Sequence, residues 1–140
     1  MTQLQKNPRP VLVLLVTLLG SSMLVACGNR AIDPDSVGDP ARGEEIFMNG
    51  TELMSTACAN CHSLDGNEID DHNPGPPMLG ISEAAATRVE GQTAVDYLRE
   101  SIVDPGAHVV EGYRNTMETS YQYLIGEEDI ENLVAFLLTQ

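Results

Sequence analysis

Cys58-Ala59-Asn60-Cys61-His62 sets two thiols three positions apart, with an imidazole directly after the second. Two cysteines so spaced can each add across a haem vinyl group, forming two thioethers. The histidine that follows is then held against the iron as an axial ligand. Cys-x-x-Cys-His reads as a c-type haem attachment site, and histidine is a normal axial ligand for haem iron. Two other chemistries compete for the same residues. A thioredoxin-like redox dithiol needs strands alternating with helices, and no such alternation is visible here. A four-ligand zinc site needs a second pair of ligands, and downstream only His72 and His108 remain, far apart in the chain. Five residues can match by chance, so the reading rests on what surrounds them.

Cysteine usage is consistent with it. The three cysteines are Cys27, Cys58 and Cys61, which leaves none for a structural disulfide once two are used by haem. Residues 1–26 read as a targeting segment: Lys6 and Arg9 form a basic start, and Val11 to Leu19 an apolar stretch. Leu24-Val25-Ala26-Cys27 then resembles a bacterial lipobox, in which the cysteine is lipidated and becomes the new N-terminus. The competing reading is an uncleaved membrane anchor, although the stretch falls short of the about 20 apolar residues a span needs. Either way the expectation is a domain held at the outer face of a bacterial membrane.

Charge narrows the partners. The chain carries a formal net charge of −14. Every acid lies after Cys27, while both basic residues of the leader lie before it. Nucleic acid is thereby an unsuitable partner. Such acidity serves either solubility or docking to a redox partner with a basic face, since complementary charge raises association rates. No lysine follows Lys6, so a lysine-ringed docking face is excluded. Only 4% of residues are aromatic and none is Trp, so a buried haem would supply apolar volume that a small chain lacks.

The elements that must position the motif are helical. Residues 27–38 are expected to be the lipidated cysteine and a tether rich in polar residues, Pro and Gly, with the folded domain at 39–140. Asp39-Pro40 opens a first helix, with Asp as cap and Pro preorganised for the first turn, and Gly50 closes it. Gly43 one turn before Phe47 would let another helix cross closely. Thr93 to Val103 carries Ala94, Tyr97, Leu98 and Ile102 at helical spacing. A last helix runs from Glu127 to Leu138, with carboxylates in its first turn and a stripe of Ile130, Leu133, Val134, Leu137 and Leu138. The long connections 63–92 and 104–125 are expected to wrap the haem.

Order and spacing together resemble the class I monohaem cytochrome c family, over about residues 38–140. Gly38-Asp39-Pro40-Ala41-Arg42-Gly43-Glu44-Glu45-Ile46-Phe47 resembles its N-terminal helix. Gly75-Pro76-Pro77-Met78-Leu79-Gly80 is similar to its Gly-Pro loop on the histidine side of the ring. Gly112-Tyr113 through Met117 and Tyr121 resembles its methionine loop, and Leu133 to Phe136 its C-terminal helix. The resemblance implies an all-α fold of three to five helices around a covalent haem, with first and last helices crossing.

It also implies His62 and Met117 as axial ligands, Pro76 as the residue whose carbonyl accepts from the histidine ring, and Tyr113 with Tyr121 near the haem edge or a propionate. A soft thioether opposite histidine raises the reduction potential. Met78 and His108 are the competing ligands, with His108 otherwise a solvated loop histidine. Met48 and Met54 are expected as core filler, and His72 at the surface. Glu118 stands where the family often has Pro. The function implied is one-electron transfer and not catalysis, as a tethered carrier or as a subunit of a respiratory or photosynthetic complex of the quinol-oxidising or oxidase type. An open-site haem enzyme or gas sensor is the rival, and a purely structural haem module the third reading.

Overall fold

A computed structural model describes residues 32–68 and 75–140. Among these residues the secondary structure is entirely helical. Helix α1 spans Pro40–Asn49. The Asp39 carboxylate accepts from the Ala41 and Arg42 amides at its start, and Gly50 ends it at φ 75°, a left-handed value that favours glycine. Helix α3, Ala94–Val103, is capped by the Thr93 hydroxyl, which accepts from the Asp96 amide. Helix α5, Glu127–Leu137, carries Glu127, Glu128 and Asp129 in its first turn. These three match the expected helices to within a residue at each end.

Two helices lie inside segments expected to be connections. Helix α2, Ile81–Arg88, follows the Gly-Pro segment, and the single turn α4, Tyr121–Leu124, follows the methionine loop. Ile81 and Ala85, four apart, bury one face of α2. That face is too narrow to register as periodicity.

The most extensive contact between elements is α1 against α5. A Cβ at Gly43 would collide with the Asn132 carbonyl and come within 2.7 Å of Phe136 Cβ. Glycine is what lets the two backbones approach. One turn on, the Phe47 and Phe136 rings pack tilted at 5.4 Å between centroids, a favoured aromatic geometry. Asn132, buried in α5, accepts the Asp39 amide at 2.8 Å and so fixes the start of α1. Ile46, Phe47, Leu133 and Val134 are the largest fully buried side chains, so the core sits at this crossing.

Some expectations shift. Residues 34–38 do not hang free as a tether: Pro34–Ser36 form a 3-10 turn that contacts α5. A Cβ at Gly38 would come within 2.7 Å of the Glu131 backbone. Met48 is not core filler; it is 47% exposed on α1, because it falls on the face opposite α5. Met54 does pack against the core, partly buried. The leader 1–26, Cys27 and His72 lie outside the described residues. Among the described residues no helix is long and apolar enough to cross a membrane.

Candidate functional site

The Cys-x-x-Cys-His segment folds on itself. Cys58–Asn60 form a 3-10 turn, and the Cys58 carbonyl accepts from both the Cys61 and His62 amides, at 3.0 and 2.9 Å. The tight turn brings both thiols and the imidazole to one wall of a cavity of about 330 Å³. Both thiols are free. Burial and the neighbouring Cys61 push the Cys58 thiol up to about 11, against a smaller opposing effect of its own backbone.

That raised value bears on the rival chemistries. A reactive dithiol needs a thiol of depressed pKa, and Cys58 has the reverse. Among the described residues no group of three or more His, Cys, Asp or Glu could hold a metal ion. Neither the dithiol nor the zinc reading gains support.

His62 is oriented by the segment after it. Its Nδ1 lies 2.8 Å from the Pro76 carbonyl. A carbonyl can only accept, so Nδ1 carries the proton and Nε2 keeps its lone pair. Burial lowers the His62 pKa, opposed by the bond to Pro76, and the ring is neutral at pH 7. Two backbone bonds hold Pro76 in place: Gly75 donates to the Cys61 carbonyl and Met78 to the Ser63 carbonyl, both at 2.8 Å. A Cβ at Gly75 would strike the His62 ring. The backbone thus lies flat against the imidazole, which only glycine allows.

The other walls come from distant parts of the chain. Met117 lines the cavity and packs partly buried against the core. Thr116 donates to the Arg114 carbonyl at 2.9 Å before it. After it, the Glu118 carboxylate accepts the Ser120 amide at 2.9 Å. Glu118 thus closes the loop by a hydrogen bond where the expected Pro would have restricted it covalently. Tyr113 lines the cavity and donates to the exposed Glu68 carboxylate at 2.9 Å. Tyr121 is buried, and its hydroxyl reaches the Thr56 carbonyl at 3.5 Å, tying α4 to the segment before Cys58. Apolar floor is supplied by Phe47, Leu98, Ile102, Leu133 and Leu137.

Other lining residues depart from their sequence reading or go beyond it. His108 is not a solvated loop histidine; it is half-buried, edge-on to the Tyr97 ring at 5.8 Å, and faces the cavity. Met78 also lines the cavity, at 8% exposure. Its backbone is fixed two residues beyond Pro76, on the His62 side. Tyr97 was marked in the sequence only by its helical position, and Arg88 fell in an expected connection, yet both line the cavity. The one available signal was that Arg88 is among only five basic residues after Cys27.

The site accommodates a haem on structural grounds. Its volume falls within the about 300–1,000 Å³ of small-molecule sites. The donor set is equally suitable: two thiols for covalent attachment, a neutral imidazole and a thioether. The cytochrome c family model matches residues 41–140. The search of curated proteins finds no match.

Proposed function

Since the chain belongs to the cytochrome c family, we propose that it transfers single electrons through a His62/Met117-ligated haem c, as a membrane-tethered carrier or electron-transfer subunit. Covalently bound haem c and haem-based electron transfer in general follow from family membership. The ligand pair, the tether and the place in a complex are the finer reading.

One observation carries it: Cys58, Cys61, His62 and Met117 line the same cavity although Met117 lies far along the chain. When bound, haem supplies one-electron redox chemistry at its iron. The protein's residues do the rest. Cys58 and Cys61 would hold the ring by thioethers, each thiol adding across one vinyl group. The Pro76 carbonyl fixes the His62 tautomer so that Nε2 is the ligating atom. Met117 would fill the second axial position and close the site to small ligands. Phe47, Leu98 and Leu133 exclude water from the interior.

The tether reading rests on the lipobox-like Leu24-Val25-Ala26-Cys27, and a basic redox partner on the net charge of −14. A fixed subunit of a quinol-oxidising or oxidase-type complex is compatible with a domain whose fold already engages residues 34–38, leaving little free chain between lipid and domain.

The test is the visible spectrum of the membrane-extracted protein, oxidised, then reduced, then with carbon monoxide. A weak far-red sulfur-to-iron band in the oxidised form, with no carbon monoxide response, is the expected result. A carbon monoxide shift without that band would instead establish an open-site enzyme or sensor.

A further inference from the structure

The loop that carries Met117 is fastened locally along its own length. Tyr113 donates its amide to the Val110 carbonyl at 3.1 Å and Thr116 donates to the Arg114 carbonyl at 2.9 Å. The Glu118 carboxylate accepts the Ser120 amide. Bonds between near neighbours shape a loop without fixing where it sits. One contact of this loop is of another kind. The Tyr113 hydroxyl donates to Glu68 Oε1 at 2.9 Å, across 45 positions of the chain.

Both ends of that contact are built. The Tyr113 ring is half-buried and lines the cavity. A phenol has a single proton to donate, and here Glu68 takes it. The bond to Glu68, with some burial and the Glu68 charge, raises the Tyr113 pKa against an opposing effect of Arg88. The hydroxyl therefore keeps that proton at neutral pH. At the other end, the Ser63 hydroxyl donates to the Asn67 carbonyl, and the Asp65 carboxylate accepts the Asn67 amide at 3.0 Å. A Cβ at Gly66 would come within 2.9 Å of Leu79 Cδ2, and the Ser63 carbonyl accepts the Met78 amide. The turn that presents Glu68 is thus fixed to the residues after His62 and to the Gly-Pro segment.

The contact joins the loop of one axial ligand to the segment of the other. His62 is secured on both sides, by the cysteine before it and by the Pro76 carbonyl at its ring. Met117 has no such fastening beside it; the fold of its loop keeps it in place. The loop also has Glu118 in place of a Pro that would restrict it covalently, which leaves more of its closure to side-chain bonds.

We propose that Glu68 is a positioning residue for Met117, acting through Tyr113 as a latch that holds the methionine loop closed. The inference rests on the His62/Met117 reading above. A hydrogen bond to an ionised acceptor is stronger than one between neutral groups. Without it the loop opens more often, and the iron becomes accessible to an outside ligand.

The experiment compares wild type, Glu68→Ala, Glu68→Gln, Tyr113→Phe and the double variant Glu68→Ala/Tyr113→Phe, each purified with its haem attached. Imidazole is titrated into the oxidised protein, where it competes with Met117 for the iron. Hydrogen exchange over residues 110–120 and thermal stability are measured alongside. Imidazole binds only when the loop is open, so its apparent affinity scales with the open fraction. Glu68→Ala and Tyr113→Phe are each expected to tighten imidazole binding about three- to tenfold, the size of one net hydrogen bond, and to speed exchange in the loop. The double variant is expected to match either single one, because all three remove the same contact. Glu68→Gln keeps an acceptor without the charge and is expected to fall between. Additive effects, or imidazole affinities equal to wild type with only thermal stability changed, would overturn the proposal. If Tyr113→Phe does not fold, the exposed Glu68→Ala decides alone, and an unchanged imidazole affinity overturns the latch. Failure of the ligand reading looks different: the wild type itself would lack the far-red band and bind imidazole without competition.

Discussion

The imidazole of His62 has one proton and two possible places for it, and the Pro76 carbonyl at 2.8 Å decides between them. A ligand so oriented depends on the backbone beneath it. Gly75→Ala would push a methyl group into the ring. Because the colliding atoms include both nitrogens, rotation cannot relieve the clash without breaking the Pro76 bond. The expected outcome is haem still bound through Cys58 and Cys61 but with altered axial ligation, seen as a changed oxidised spectrum and new carbon monoxide binding. Met117→Ala makes a complementary case. Covalent haem should remain, the far-red band should vanish, and the potential should fall, since Met/His ligation raises it. An unchanged oxidised spectrum in Met117→Ala would remove Met117 from the ligand set and turn attention to Met78 or His108, which line the same cavity.

Helices α1 and α5 hold the cavity's floor, and their approach depends on one missing side chain. At Gly43 the obstacle to a Cβ is backbone of α5 as well as Phe136, which cannot swing aside. Gly43→Ala should therefore cost at least the about 1–3 kcal/mol of ordinary overpacking, outweighing the better helix propensity of alanine, at about 1 kcal/mol. Thermal unfolding should fall by several degrees, on the basis of about 4–8 °C per kcal/mol in a domain this size. Helix α3 offers a pH-dependent counterpart. The Thr93 hydroxyl donates to Asp96 Oδ2 at 2.6 Å and accepts from the Asp96 amide at 3.1 Å. The bond from the hydroxyl, then the backbone and Arg99, hold the Asp96 carboxyl below its usual range. A depressed carboxylate contributes stability that is present above its unfolded pKa and is lost as pH falls through the folded one. Asp96→Asn should thus be less stable at neutral pH and show a shallower loss between about pH 4 and 2. Parallel acid limbs in urea-denaturation series would show that the Asp96 charge does not matter to the helix.

For the molecule as a whole, a net charge of −14 must either keep it dispersed or guide a partner. Guidance has a signature that solubility lacks. Electron exchange with a basic partner protein should slow at least about tenfold between roughly 0.01 and 0.15 M salt, as the Debye length shrinks from about 30 to 8 Å. A rate indifferent to salt, measured by stopped flow, would assign the acidity to solubility alone. The interior is governed by a different balance. A chain with 4% aromatic residues and no Trp builds its largest fully buried side chains only at the α1–α5 crossing, and the remaining volume is arranged as a lined cavity.

Sequence alone determined whatever depends on neighbours along the chain. The Cys58 to His62 spacing names its own chemistry, and the cap Asp39, the breaker Gly50 and apolar residues at helical spacing place three helices to within a residue. Such features are local: a thiol spacing, an N-cap and a left-handed turn need only a few residues to exist. Tertiary structure decided what depends on residues distant in sequence. Helix α2 buries too narrow a face to announce itself, and α4 is a single turn held by the Tyr121 contact to Thr56. Met48 in α1 and Met78 in the Gly-Pro segment carry the same side chain, yet one is 47% exposed and the other 8%, because exposure is fixed by what packs opposite. His108, from the loop after α3, and Arg88, from α2, meet at Tyr97 beside the cavity. Nothing along the chain encodes that meeting, since it is made by the packing of helices against one another.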